Sequence, residues 1–182
     1  MARWKQGILV TVLAAMNLAA APASQPVAKT PWDILKEAGQ LPMVDSPTSS
    51  SLTYKPYPPY SKKWWALARN SEEKNKRQFE LLRQSRLLMQ SDGGHSGIPV
   101  PDKWFCPTAE ALTSQLGPMR HLADIESDAV IVSHLDGNDG EVVRRLLDEL
   151  NIADCIRQGN WMGGELVAVG IDDLACQTIQ VI

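Results

Sequence analysis

Apolar positions fall into blocks with different periods along the chain. The first block, Gly7 to Ala21, is apolar except for Thr11 and Asn17, follows Arg3 and Lys5, and leads into small residues. Either Ala19-Ala20-Ala21 or Ala21-Pro22-Ala23 fits a small-x-small cleavage site. This is the layout of a secretory signal peptide, predicted over residues 1–23. The run is shorter than the roughly 20 residues a spanning helix needs. No later apolar run is long enough either, so no stable membrane insertion is expected after cleavage. No Cys lies near the cleavage site, so a lipid anchor is not expected. The expectation is a bacterial protein that is periplasmic or secreted.

Residues 24–60 read as a short helix followed by an extended arm. Thr30 caps, Pro31 suits the first helical position, and Asp33 sits three residues after the cap. The predicted helix spans 31–38, buries Trp32, Ile34, Leu35 and Ala38, and ends at Gly39 in the left-handed stop position. Pro47-Thr48-Ser49-Ser50-Ser51 is a flexible stretch. Tyr54-Lys55-Pro56-Tyr57-Pro58-Pro59-Tyr60 favours polyproline II, whose three-residue turn aligns Tyr54, Tyr57 and Tyr60 on one face. Trp64 and Trp65 follow closely.

Ser61 caps a helix over 61–91, with a predicted interruption at Asn70-Ser71. Phe79, Leu81, Leu82, Leu88 and Met89 form its apolar stripe. Its polar face carries eight Lys or Arg residues against Glu72, Glu73 and Glu80. Residues 92–103 are a Gly/Pro loop.

Residues 104–182 read as an acidic α/β-type domain. Pro107 opens a helix that Gly117-Pro118 ends, and a short helical piece follows over 119–126. Asp128 to His134 is a β-branched run that predicts a strand. Asp136-Gly137-Asn138 is a turn, and Asn138 with Glu141 resembles a capping box for a helix through Asn151. That helix is predicted to bury Val142, Val143, Leu146, Leu147 and Leu150. Leu166 to Ile171 and Thr178 to Ile182 predict two more strands, with a further one placeable near 154–158. The predicted fold class is therefore α+β, or a small α/β, with N-terminal helices and a C-terminal β-α-β-β unit.

The full chain carries 18 basic and 21 acidic side chains for a net charge of −3, and cleavage after Ala23 removes Arg3, Lys5 and no acid. Charge is polarised, since residues 102–182 hold fourteen acids against five bases. Two arrangements satisfy this: the basic helix packs on the acidic half, or each half meets its own partner. A nucleic-acid partner is not expected, because acids intersperse the basic helix and the chain is acidic and exported.

Candidate chemistry is sparse. Export makes a disulfide plausible among Cys106, Cys155 and Cys176, and Cys155–Cys176 is the predicted pair. Cys106, at a predicted helix N-terminus, is the candidate reactive thiol, but position 109 is Ala, so no Cys-x-x-Cys pair exists. The loop Asp136–Glu141 lacks the fifth and twelfth ligands of a calcium loop and reads as a capped turn. His95, His121 and His134 show no paired ligand spacing. No catalytic, metal or cofactor site is expected.

Tyr54, Tyr57, Tyr60, Trp64 and Trp65 form the candidate binding group, since a preorganised aromatic strip loses little entropy on docking. The same strip covering its own domain is the competing reading. The expected function is a non-enzymatic protein–protein interaction, or accessory, component of an envelope assembly such as a secretion or conjugation apparatus. Two alternatives remain open: a thiol-dependent envelope enzyme using Cys106, and a cell-surface glycan binder.

Overall fold

The computed structural model describes residues 28–47, 61–102 and 107–182. Six helices build it: α1 Pro31–Gln40, α2 Lys62–Lys74, α3 Lys76–Ser91, α4 Pro107–Leu135, α5 Asp139–Arg157 and α6 Met162–Val181. There is no strand among the described residues, so the α+β class and the β-α-β-β unit are corrected to all-α. The predicted signal peptide, the predicted tyrosine arm from Thr48 to Tyr60 and Cys106 lie outside the described residues.

The physical reason for the correction is burial. All of residues 122–133 are buried, because α4 runs through the centre and is packed by α1, α2, α5 and α6. A short apolar run enclosed on every side reads alike as buried strand or buried helix. Asp128–His134 is the last part of α4, Leu166–Ile171 lies within α6, Thr178–Ile182 is the last turn of α6 with its C-cap, and 154–158 is the end of α5 with its C-cap.

Gly117-Pro118 does not end α4; Pro118 sits inside it. The carbonyl left without its donor belongs to Ser114, which is exposed, so water can take it. Gly39 likewise does not stop α1, which continues to Gln40. A Cβ on Gly39 would lie 3.0 Å from both Pro118 Cβ and Met119 Cε. This glycine lets α1 approach α4 closely. The α1 cap follows the sequence: Thr30 Oγ1 accepts from the Asp33 N–H at 3.1 Å, and Asp33 Oδ2 accepts from the Thr30 N–H at 3.1 Å.

The 61–91 helix is broken at Asn75 rather than at Asn70-Ser71. Asn75 is fully buried and its amide clasps both backbone groups of one residue, Val44. Its Oδ1 accepts from the Val44 N–H at 3.0 Å, while its Nδ2 donates to the Val44 carbonyl at 2.8 Å and to Ser71 Oγ at 2.9 Å. Gln78 Nε2 adds a bond to the Pro42 carbonyl at 2.9 Å. The loop after α1 is thus stitched to the α2–α3 corner, which satisfies its backbone without a sheet.

Of the two charge arrangements, the structure has the first. Arg69 pairs with Asp136, Arg83 with Glu141 at 3.2 Å, and Arg86 with Asp148 at 2.5 Å. The basic face of α2 and α3 lies on the acidic half.

Candidate functional site

Of the predicted aromatic group, the described members are Trp64 and Trp65. Ser61 Oγ caps α2 by accepting from the Trp64 N–H at 3.2 Å. Trp64 is 2% exposed and packs with Ala68, Ile131 and Val132 in a second small core. It is an anchor between α2 and α4 rather than a free docking surface. Trp65 is half-buried, and the Arg69 guanidinium lies 4.4 Å from its ring centroid. Beside it opens a cleft of about 360 Å³ lined by Arg69, Glu72, Glu73, Lys76, Phe79 and Arg145.

Cys155 and Cys176 do not pair. Cys155 faces the core from α5, with Sγ 3.4 Å from Met89 Sδ, and burial pushes its thiol up to about 12. Cys176 is exposed on α6. One points inward from its helix and the other outward, so the predicted Cys155–Cys176 disulfide is corrected to two free thiols.

The histidines are scattered. His121 Nε2 is 3.3 Å from Asp45 Oδ1, His134 Nδ1 is 3.8 Å from Asp139 Oδ1, and His95 is exposed. Asp136 pairs with Arg69. The Asp136–Glu141 turn is a capped helix start: Asn138 Oδ1 accepts from the Glu141 N–H at 3.2 Å. Among the described residues no group of three or more His, Cys, Asp or Glu is arranged to hold a metal ion.

Two features escape the sequence pattern. The first is a set of buried charges between α4 and α5. Arg145 lies 4.6 Å from the Phe79 ring centroid and reaches Glu72 at 3.1 Å, Glu126 at 3.4 Å and Glu141 at 3.1 Å. Asp124, Glu126, Asp128, Asp148 and Glu149 are all buried. Burial outweighs the neighbouring guanidinium groups and raises the carboxyl of Glu126 to about 8. The same cause raises Asp124 and Asp148. Glu149 is raised well above the usual range by burial and by Glu126, Asp124 and Asp128. Among the described residues neither of its oxygens has a hydrogen-bond partner.

The second is the double seam of α6. Gly164, Ala168, Ile171, Ala175 and Thr178 are buried. Met162, Leu166, Val169, Asp173, Cys176 and Gln180 are exposed. Both sets alternate steps of four and three, the spacing of helix–helix contact. Leu166 is 68% exposed, Met162 57%, Ile179 54% and Val169 52%. A helix of a globular protein ordinarily keeps one apolar stripe and turns a polar face to water; the first half of α6 adds a short outer stripe of Met162, Leu166 and Val169, which Asp173 and Gln180 continue as polar positions.

No helix of the described residues is long and apolar enough to cross a membrane. Comparison of the chain with protein-family profiles, with curated proteins and with solved structures finds no match.

Proposed function

We propose that this chain is an exported, non-enzymatic interaction protein of the bacterial envelope, and that it docks one helix of a partner on the outer seam of α6. The observation that carries this reading is the second stripe itself. Met162, Leu166 and Val169 hold heptad spacing on a face directed away from the core, and large apolar residues in that pattern favour another helix.

Charge narrows the partner. The helix α6 carries Glu165, Asp172 and Asp173 and no Lys or Arg. An amphipathic helix with basic edges complements it, whereas a second copy would bring acid against acid. Completing the burial of Met162, Leu166 and Val169 contributes roughly 3–5 kcal/mol before association costs. That suits a transient accessory contact more than a permanent subunit interface. The Tyr54, Tyr57 and Tyr60 strip with Trp65 supplies a second contact, and two linked contacts multiply affinity. An assembly such as a secretion or conjugation apparatus is the proposed setting.

The test uses the exposed Cys176 thiol as a handle. A Cys106→Ser chain carries a photo-crosslinker on Cys176 in its native envelope, and the joined peptides are sequenced. Crosslinks to a basic amphipathic helix of another envelope protein support the reading. Crosslinks only to a second copy, only to residues of the same chain, or none at all contradict it.

A further inference from the structure

The seam between α4 and α5 holds one buried carboxyl group, Glu149, that no described base pairs with. Glu126 has Arg145 Nη1 at 3.4 Å, and Asp148 has Arg86 Nε at 2.5 Å. Glu149 is 0% exposed, and neither of its oxygens meets a donor. The groups of α4 that face it are Asp124, Glu126, Asp128 and Arg120. Arg120 is half-exposed and already paired with Asp124 at 3.3 Å.

Among the described residues no other element brings Glu149 a cation. From α3, Arg83 goes to Glu141 and Arg86 to Asp148. From α2, Glu72 takes a share of Arg145. The α6 acids Asp172 and Asp173 engage Arg157 and Gln177, while Thr178 meets Ser127. In α1, Asp33 and Glu37 pair with Lys36 and Lys29 at the surface, and after it Asp45 meets His121. A fully buried carboxylate without a donor or counter-ion is more costly than its protonated form, so the group takes a proton. Facing carboxylates reinforce this, since neighbouring like charges disfavour full ionisation.

We propose that Glu149 is a proton-binding site in the α4–α5 seam, occupied in the native state at neutral pH, so that acid tightens the bundle and base loosens it. This goes beyond the docking reading and does not depend on it. The sign follows from linkage. Glu126 and Glu149 are raised in the folded chain above their ordinary value of 4.5. The native state therefore holds protons that the unfolded chain has released. That stability is fully present below about pH 4.5 and is lost as pH rises through the native values, near 8 for Glu126. Asp124 and Asp148 are shifted in the same direction. Asp33 and Glu37, lowered by Lys36 and Lys29, titrate at the acidic end, outside this window.

The experiment is urea unfolding of the wild-type chain and of Glu149→Gln between pH 5.5 and 8.5. One extra native proton changes the folding equilibrium about tenfold per pH unit. The wild-type equilibrium constant is expected to fall by at least that factor as pH rises, and the Glu149→Gln slope is expected to be shallower by about tenfold per unit. A wild-type constant that is flat or rises with pH overturns the proposal, as does a variant profile parallel to wild type. Proton uptake on refolding wild type at pH 7 gives a second readout that needs no variant. Uptake of about one proton or more supports the site, and no uptake or net release overturns it.

Discussion

Replacing Asn75 by Ala tests the joint that holds the loop after α1. The substitution deletes the acceptor of the Val44 N–H and two donated bonds, to the Val44 carbonyl and to Ser71 Oγ. A hydrogen bond of this kind contributes about 1 kcal/mol net, and a buried group left unpaired costs more. The Val44 carbonyl keeps its bond from Ser71 Oγ at 3.0 Å, so one side of the clasp survives. The expected loss is about 3 kcal/mol, which lowers the melting temperature of a chain of this size by about 6–12 °C. Thermal unfolding followed by circular dichroism reads it. Ser71→Ala should cost less, about 1–2 kcal/mol, and the double variant should cost less than the sum because the two side chains share a bond. An Asn75→Ala chain melting within about 1 °C of wild type would refute the clasp, since three bonds cannot vanish at so small a cost.

Two further outcomes follow from the core and the thiols. Arg145→Ala removes the guanidinium that Glu126, Glu72 and Glu141 share, while Glu141 keeps Arg83 and Glu72 keeps Arg69, and should cost about 2–3 kcal/mol in urea unfolding, with Arg145→Lys restoring little because a lysine has no fork. A maleimide applied to a Cys106→Ser chain should label Cys176 in the folded state and Cys155 only after unfolding, because Cys155 is buried with its thiol pushed up to about 12; equal labelling of both would contradict the placement.

Local signals were legible in the sequence. The Thr30–Asp33 capping box, the Ser61 cap and the Asn138 cap all stand where short-range chemistry puts them. So does the buried face of α1, where Trp32, Ile34, Leu35 and Ala38 meet the core. What failed were the judgements that depend on long-range packing. Pro118 and Gly39 are breakers by propensity, yet one lies where water serves the orphaned carbonyl and the other where two helices need closeness.

The predicted stripe of α5 failed more instructively. Val143 and Leu147 are exposed at 58% and 44%, while Arg145, Asp148 and Glu149 are buried. Apolar periodicity finds the face turned from water only when charges stay outside, and here α2, α3 and α4 supply charged partners for most of them. In α6, apolar residues on both faces erased the helical period, and β-branched Val169, Ile171, Thr178 and Ile179 completed the resemblance to strands. The same doubling that hid the helix marks the proposed docking seam.

The most direct measurement of that seam pairs two readouts on one variant. Leu166→Glu changes the most exposed large side chain of α6, where a substitution should move stability by no more than about 0.5 kcal/mol. If the outer seam receives a basic amphipathic helix, the variant melts within about 2 °C of wild type, while its Cys176 crosslink to that helix falls about tenfold or more, the effect of losing one central apolar contact. An unchanged crosslink yield would place docking elsewhere, and a collapse of the melting temperature would make the outer seam part of the core.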